Sequence, residues 1–266
     1  MSRLLLHPQS PDAEGRIHAV TPQSAGWRYV GFEAFRLTDR QPLALAIPAD
    51  REACLVLIAG RAEILAGGVN LGRLGKRTSP FDGSPWSVYL PPGTPVDVRP
   101  HDREVELALC TAPGTGTLPV RVIPPVSVGL ETRGTGTNTR HVRNILPETA
   151  AAESLLVVEV ITPGGHWSSY PSHKHDTDDF PNETYLEETY YHRLARPGFA
   201  IQRVYTDDRS LDEAMAVSDR DVVLVPRGYH PVGAPHGFDL YYLNVMAGPK
   251  RAWRFSFDPD HRWLLG

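Results

Sequence analysis

The sequence predicts an all-β protein, a sandwich or a barrel, and three observations carry that reading. Its apolar runs are short, rich in Val, Ile, Leu and Tyr, and bounded by Gly, Pro or Asp clusters. Helical periodicity is scarce. Gly 23 and Pro 25 in 266 residues exceed ordinary usage and favour turns over a helical bundle. The length fits one large domain or two of about 130 residues, and either can bury a core.

Taken in order, the first strands are Trp27–Leu37, Leu43–Ile47, Ala53–Leu65, Trp86–Leu90 and Glu104–Ala112. Pro113–Arg140 follows, rich in Gly, Pro and Thr, and reads as an ordered crossover between two β units. Within it Val120–Ile123 and Val126–Val128 look able to pair. The second half offers Leu155–Thr162, Thr189–Arg193, Phe199–Tyr205, Asp221–Val225 and Asp239–Met246. The best helical candidate is a short turn at Asp212–Met215, with Ser210 as cap and Glu213 placed as in a capping box. A loose internal echo supports two similar units. VYLPPGTPVDV at Val88–Val98 and VLVPRGYHPVGA at Val223–Ala234 both read as a strand, a Pro- and Gly-containing turn and a second extended segment.

Composition excludes several classes. With 27 basic and 31 acidic residues the net charge is −4, which leaves no broad basic nucleic-acid surface and no acidic disordered chain. MSRLLLHPQS has too short an apolar stretch for a secretory signal, and no run reaches the roughly 18 apolar residues of a membrane span. A cytoplasmic protein without membrane or nucleic-acid partners is expected. Cys54 and Cys110 lie in apolar runs and read as buried, inert thiols.

The chemistry concentrates in Trp167–Leu194, WSSYPSHKHDTDDFPNETYLEETYYHRL. His173 and His175 stand two apart, so on a strand both imidazoles face one space. Glu187 and Glu188 open the strand TYYHR, and alternation turns only one of them inward. His230 follows a strand end and a Pro-x-Gly turn. Three imidazoles and a carboxylate suit a borderline divalent ion such as Zn²⁺, Mn²⁺ or Fe²⁺. His166, His236 and His261 read as structural or surface residues, and Asp176, Asp178 and Asp179 as a solvated turn, with a lid over the site as the second reading.

The order His-x-His, Glu, Pro-x-Gly-x-His resembles that of the cupins, small metal-holding β-barrels. More specifically, SSYPSHKHD, LEETYYHRL, FAIQRVYTDD, VLVPRGYHPV and DLYYLNVMAGP resemble the 5-deoxy-glucuronate isomerases of inositol catabolism, relatives of the uronate isomerases of pectin breakdown. LIAGRAEI and SPWSVYLPPG extend the likeness over the first half.

The resemblance implies a bicupin of two antiparallel β-barrel (jelly-roll) domains packed together. Residues 1–125 would be a metal-free structural barrel, and 126–266 the barrel with metal and active site. Carried over residue by residue, the metal ligands are His173, His175, Glu188 and His230. Glu188 rather than Glu187 is the third ligand because it immediately precedes the hydrophobic strand. The twelve residues DTDDFPNETYLE between His175 and Glu188 exceed a simple cupin's spacing and are expected to form a loop at the barrel mouth.

The implied reaction is an aldose–ketose isomerisation, 5-deoxy-D-glucuronate to 2-deoxy-5-keto-D-gluconate in myo-inositol catabolism (EC 5.3.1 class). It runs through a metal-stabilised enediol with Zn²⁺ or Mn²⁺, Fe²⁺ being admitted by the same ligands. Glu188, His192 and Tyr190 are the catalytic candidates. The general base stays open among a tyrosine, His192, an acidic side chain and a metal-bound hydroxide. Tyr242 is a candidate substrate contact. Arg203 is a candidate clamp for the substrate carboxylate, and Lys174 a weaker one because alternation points it away from the metal. The alternatives are an iron-dependent cupin dioxygenase and a non-catalytic sugar-binding cupin. The partner is a small sugar acid, with a homo-oligomer left open.

Overall fold

The computed structural model describes residues 2–39 and 41–265. The architecture is all-β and its strands pair antiparallel, with one four-residue α-helix, Pro22–Ala25, and three 3-10 segments among the described residues. The chain divides into two compact units. One comprises Pro8–Gly129 and Asn144–Val157, the other Met1–His7, Leu130–Arg143 and Val158–Gly266. That division follows packing and is not a single cut at 125/126.

In the first unit a six-stranded sheet runs in the order Arg121–Ile123, Ser87–Leu90, Arg51–Ala59, Glu104–Pro113, Gly31–Thr38, Arg16–Val20. A four-stranded sheet runs Leu43–Ala46, Pro95–Pro100, Ala62–Ala66, Val69–Leu74. Strand alternation sends one side chain in two inward, and those side chains are aliphatic. Leu55, Leu57, Ile64, Val96, Val98, Val105, Leu107 and Leu109 form one buried cluster with Phe35 and Leu37. Apolar atoms fill this barrel's interior. Cys54 and Cys110 sit opposite each other on paired strands as free, buried thiols, and burial pushes Cys54 up to about 12.

One buried carboxylate ties the unit together. Glu52 is fully buried and accepts from Tyr89 Oη at 2.6 Å and from the backbone N–H groups of Glu153, Ser154 and Leu155 at 2.8, 2.5 and 2.6 Å. Glu153 in turn accepts from the backbone and hydroxyls of Thr115 and Thr117. Glu52→Ala strands three N–H groups, and each buried donor without a partner costs about 1–3 kcal/mol. A large drop in the urea midpoint is expected. A drop no greater than that of the half-buried Glu63→Ala would contradict the assignment.

A seven-stranded sheet, most of whose residues belong to the second unit, runs Leu5–Leu6, Val222–Val225, Glu187–Leu194, Leu240–Ala247, Leu156–Thr162, Arg140–Leu146, Gly129–Arg133. A four-stranded sheet holds Trp167–Ser168, Val232–Gly233, Ala200–Tyr205 and Asp212–Val217, and His173–Lys174 pairs with Ser256–Phe257.

Two local expectations are corrected. Asp212–Met215 is not helical but part of the strand Asp212–Val217, in register with Ala200–Tyr205. Its alternation buries Met215 and Val217, and Ser210 bonds Asp208 rather than capping a helix. Cross-strand pairing with a buried face outweighs a short local cap. Val126–Val128 does not pair as a strand either. Pro124 and Pro125 lack N–H donors, and Pro125–Ser127 turns as a 3-10 segment with Val126 exposed.

Candidate metal centre and active site

Strand Glu187–Leu194 lies between Leu240–Ala247 and Val222–Val225. Alternation puts Glu188, Tyr190 and His192 on one face. Opposite them in register stand Met246, Asn244 and Tyr242. Glu188, Tyr190, Tyr242, Asn244 and Met246 line a cavity of about 230 Å³, joined by Val158, Val160, Val142 and Arg140 from the next two strands.

Three histidines gather beside this space from two segments, and of them His173 lines the cavity. His173 stands on its short strand against Phe257. His175 follows, its segment fastened by Leu186 N donating to His175 O at 2.9 Å. His230 is set by the turn at Gly228, whose φ of 90° lies in the left-handed region. The ligand atoms of His173, His175 and His230 all lie within 4.8 Å of one another, and all three residues are buried. Glu188 Oε2 stands 3.1 Å from His175 Nε2 and 3.2 Å from His230 Nε2.

The outer ring nitrogens of His175 and His230 are occupied by the backbone. His175 Nδ1 donates to Leu186 O at 3.0 Å and His230 Nδ1 to Gly228 O at 2.8 Å. At His230 such a bond fixes the tautomer and leaves the inner nitrogen as a lone pair, whereas His175 Nε2 also hydrogen-bonds Glu188 Oε2 at 3.1 Å. His230 Nε2 accordingly has no hydrogen-bond partner, although it lies within ion-pair distance of Glu188. That approach brings two acceptors together, which a cation between them satisfies.

Burial, then the neighbouring imidazoles, hold His173 well below the usual histidine range. Burial also brings His230 down to about 4. Burial opposes charge on His175 too, but the Glu188 carboxylate outweighs it and the value lies above the usual range. Two imidazoles that burial keeps from charging, and a third whose affinity for a proton comes from the adjacent Glu188 carboxylate, fit a divalent ion.

An outer network holds the ligand segments together. Lys174 points away from the cluster and pairs with Asp176 at 2.6 Å and Glu183 at 3.2 Å. Asp176 Oδ2 accepts the Gly228 N–H at 2.9 Å, tying the His173–His175 segment to the turn that carries His230. Outer partners of this kind are worth about 10- to 100-fold in metal affinity. Asp176→Ala is therefore expected to weaken binding by about that factor in a chelator competition. Unchanged affinity would mean the turn holds without it.

The remaining candidates divide. Tyr190 and Tyr242 line the cavity. Tyr190 Oη bonds Ser169 Oγ at 2.9 Å, and Tyr242 bonds Ser168 and Ser169. Burial raises both phenols above the usual tyrosine range. Ser169 has a φ of 48°, a strained conformation for a residue with a side chain, at the cavity wall.

His192 does not line the cavity. It stacks behind Tyr190 with ring centroids 6.0 Å apart, and its Nε2 donates to Gln202 Oε1 at 2.8 Å. Arg203 is also outside. Gln202 is the member of that pair turned inward, and Arg203 pairs with Asp212 at 2.7 Å on an exposed face. A guanidinium committed to Asp212 and stacked over Tyr205 is no substrate clamp at this cavity.

Lining residues missed from the sequence include Arg133, Arg140, Ser169, Asn244, Trp253 and Phe255. Phe255 packs on His173 with centroids 4.8 Å apart. The alternating aromatics of WRFSF, Trp253–Phe257, were the available signal for this wall.

Two barrels of antiparallel strand, one carrying this donor set, define a bicupin. The fold likeness extends to oxalate decarboxylase from Lactobacillus farciminis, with a TM-score of 0.63 over 97% of this chain and 89% of that one at 13% identity. More particularly, the chain belongs to the KduI/IolB family, whose model matches residues 4–264. It is 54% identical to a 5-deoxy-glucuronate isomerase of Geobacillus thermodenitrificans, covering all of this chain and 97% of the relative. It is 44% identical to the protein of that name from Bacillus subtilis strain 168, covering 100% of this chain and 99% of the relative. A crystal structure of an IolB-like protein from Salmonella typhimurium LT2 superposes with a TM-score of 0.94 at 53% identity, covering both chains fully.

Proposed function

We propose that the chain isomerises 5-deoxy-glucuronate to its 2-deoxy-5-keto-gluconate ketose, in the cavity beside His173, His175, Glu188 and His230. The observation that carries this is the convergence of three buried imidazoles, two of them within 3.2 Å of the buried Glu188 carboxylate, beside a sugar-sized cavity. Full-length likeness to proteins named for this reaction supports the substrate.

His173, His175, Glu188 and His230 would hold the ion, with Zn²⁺ or Mn²⁺ matching the donors best. When bound, it supplies Lewis-acid polarisation of the substrate's carbonyl and hydroxyl oxygens. The chain's own residues do the rest. Tyr190 and Tyr242, spanned by Ser169, hold hydroxyl protons at the cavity wall, where a substrate oxygen gains or loses one. Val158, Val160 and Met246 give the wall an apolar face that limits water around the reacting carbons. His192 acts through Tyr190, as packing behind it. The filled barrel of the other unit takes a structural role. Among the described residues no helix is long and apolar enough to cross a membrane, and we place the enzyme in the cytoplasm with the catabolic reaction it serves.

The test is direct. Purified protein loaded with Zn²⁺ or Mn²⁺ should form the ketose without NAD or oxygen. In deuterated water the product should carry deuterium at the former aldehyde carbon, because the proton passes through an exchangeable group. A product free of label would point to a hydride shift. Oxygen uptake without ketose would point to a dioxygenase.

A further inference from the structure

Two cations line the cavity, Arg133 and Arg140. Arg133 already has a partner. It pairs with Glu131 and its guanidinium lies 4.7 Å from the Trp253 ring centroid.

Arg140 is different. Its Nη1 donates to two neutral oxygens, Asn138 O at 3.1 Å and Tyr170 O at 3.2 Å. Among the described residues no carboxylate lies within ion-pair distance of it. The two carbonyls aim the guanidinium without neutralising it, and its Nε and Nη2 donors remain. A Cβ at position 134 would come 2.7 Å from Nη1, so Gly134 leaves room for this pose. Burial lowers the Arg140 pKa, as it does for a cation lacking a counter-ion. Arg140 shares the cavity wall with His173 and Glu188, and its bond to Tyr170 O holds it against the segment that carries His173. A partly buried guanidinium calls for an anion, and a planar carboxylate matches its fork.

We propose that Arg140 binds the carboxylate of the sugar acid through Nε and Nη2, and so selects acids over neutral sugars in this cavity. Arg140 takes the role that the sequence reading gave to Arg203. The proposal rests on the isomerase reading only for the identity of the acid.

Calorimetry on the Zn²⁺-loaded protein tests it with two probes that differ in charge at one carbon, D-glucuronate and D-glucuronamide. The wild type should prefer the acid roughly ten- to a hundredfold, the worth of a hydrogen-bonded charge. Arg140→Met should remove that preference by weakening the acid alone, while metal content and glucuronamide binding stay as in the wild type. If Arg140→Met folds poorly, Arg140→Gln makes the same comparison. Arg140→Lys should keep part of the preference, since a point charge lacks the fork. Arg203→Met should keep all of it.

Turnover of 5-deoxy-glucuronate by Arg140→Met should show a raised KM with kcat nearly unchanged. A preference for the acid that survives in Arg140→Met, or is missing in the wild type, overturns the clamp. A wild type that isomerises nothing yet selects the acid through Arg140 overturns the reaction and leaves the clamp standing.

Discussion

Glu188→Ala is expected to leave the purified protein without its ion and without activity. Glu188 is buried, and its Oε2 is the atom that both His175 and His230 approach, at 3.1 and 3.2 Å. Removing it leaves three buried imidazoles around a void with no negative charge to offset a dication. Lewis-acid catalysis is worth several kcal/mol, and each 1.36 kcal/mol is tenfold in rate. The expected fall in kcat/KM is therefore roughly a thousandfold or more. Metal analysis should show less than a tenth of the wild-type content, and His175→Ala should behave alike. Glu187→Ala is the matched control, because its side chain lies on the other face of the same strand. A full complement of metal in Glu188→Ala would remove that residue from the ligand set.

The second large effect is expected at Gly228. A Cβ there would stand 2.4 Å from Tyr205 O, and the φ of 90° already disfavours a side chain. The clash cannot be relieved by a rotamer, because the obstacle is backbone. It is backbone that pairs twice with Tyr229, by hydrogen bonds of 2.7 and 2.9 Å. Gly228→Ala must therefore move the turn that carries His230, and metal affinity falls together with stability. Gly237 separates the two contributions. Its φ is 105° but its Cβ would meet nothing within 4 Å. Gly237→Ala reports backbone strain alone, about 1–2 kcal/mol. Gly228→Ala should lower the melting temperature further and weaken metal binding at least tenfold, read by chelator competition. Equal effects of the two substitutions on both readouts would show that the close approach at Gly228 has no consequence.

The histidine cluster was legible because its logic is local. The i, i+2 spacing of His173 and His175, the carboxylate opening a strand and the histidine after a glycine turn each follow from strand geometry. The architecture was legible for the same reason, since alternating apolar runs and turn clusters mark strands one by one. What stayed hidden depends on long-range packing. Alternation says that Gln202 and Arg203 face opposite ways but not which faces in, and the structure turns Gln202 inward. It puts His192 on the same face as Glu188 but says nothing of depth, and Tyr190 stands between His192 and the cavity. Arg140 belongs to a Gly- and Thr-rich stretch with no motif, and a long-range bond from its Nη1 to Tyr170 O sets it against the segment that carries His173. The strand at Asp212 carried a plausible local cap, and a buried partner strand overruled it.

The central claim is that one ion, held by His173, His175, Glu188 and His230, makes this cavity an isomerase. The most direct measurement follows 5-deoxy-glucuronate conversion before chelation, after it, and after Zn²⁺ or Mn²⁺ is restored, with oxygen and nicotinamide excluded. Turnover should vanish on chelation and return as about one ion per chain is taken up. Full turnover by metal-stripped protein, or rebinding of the ion with no ketose formed, would contradict it.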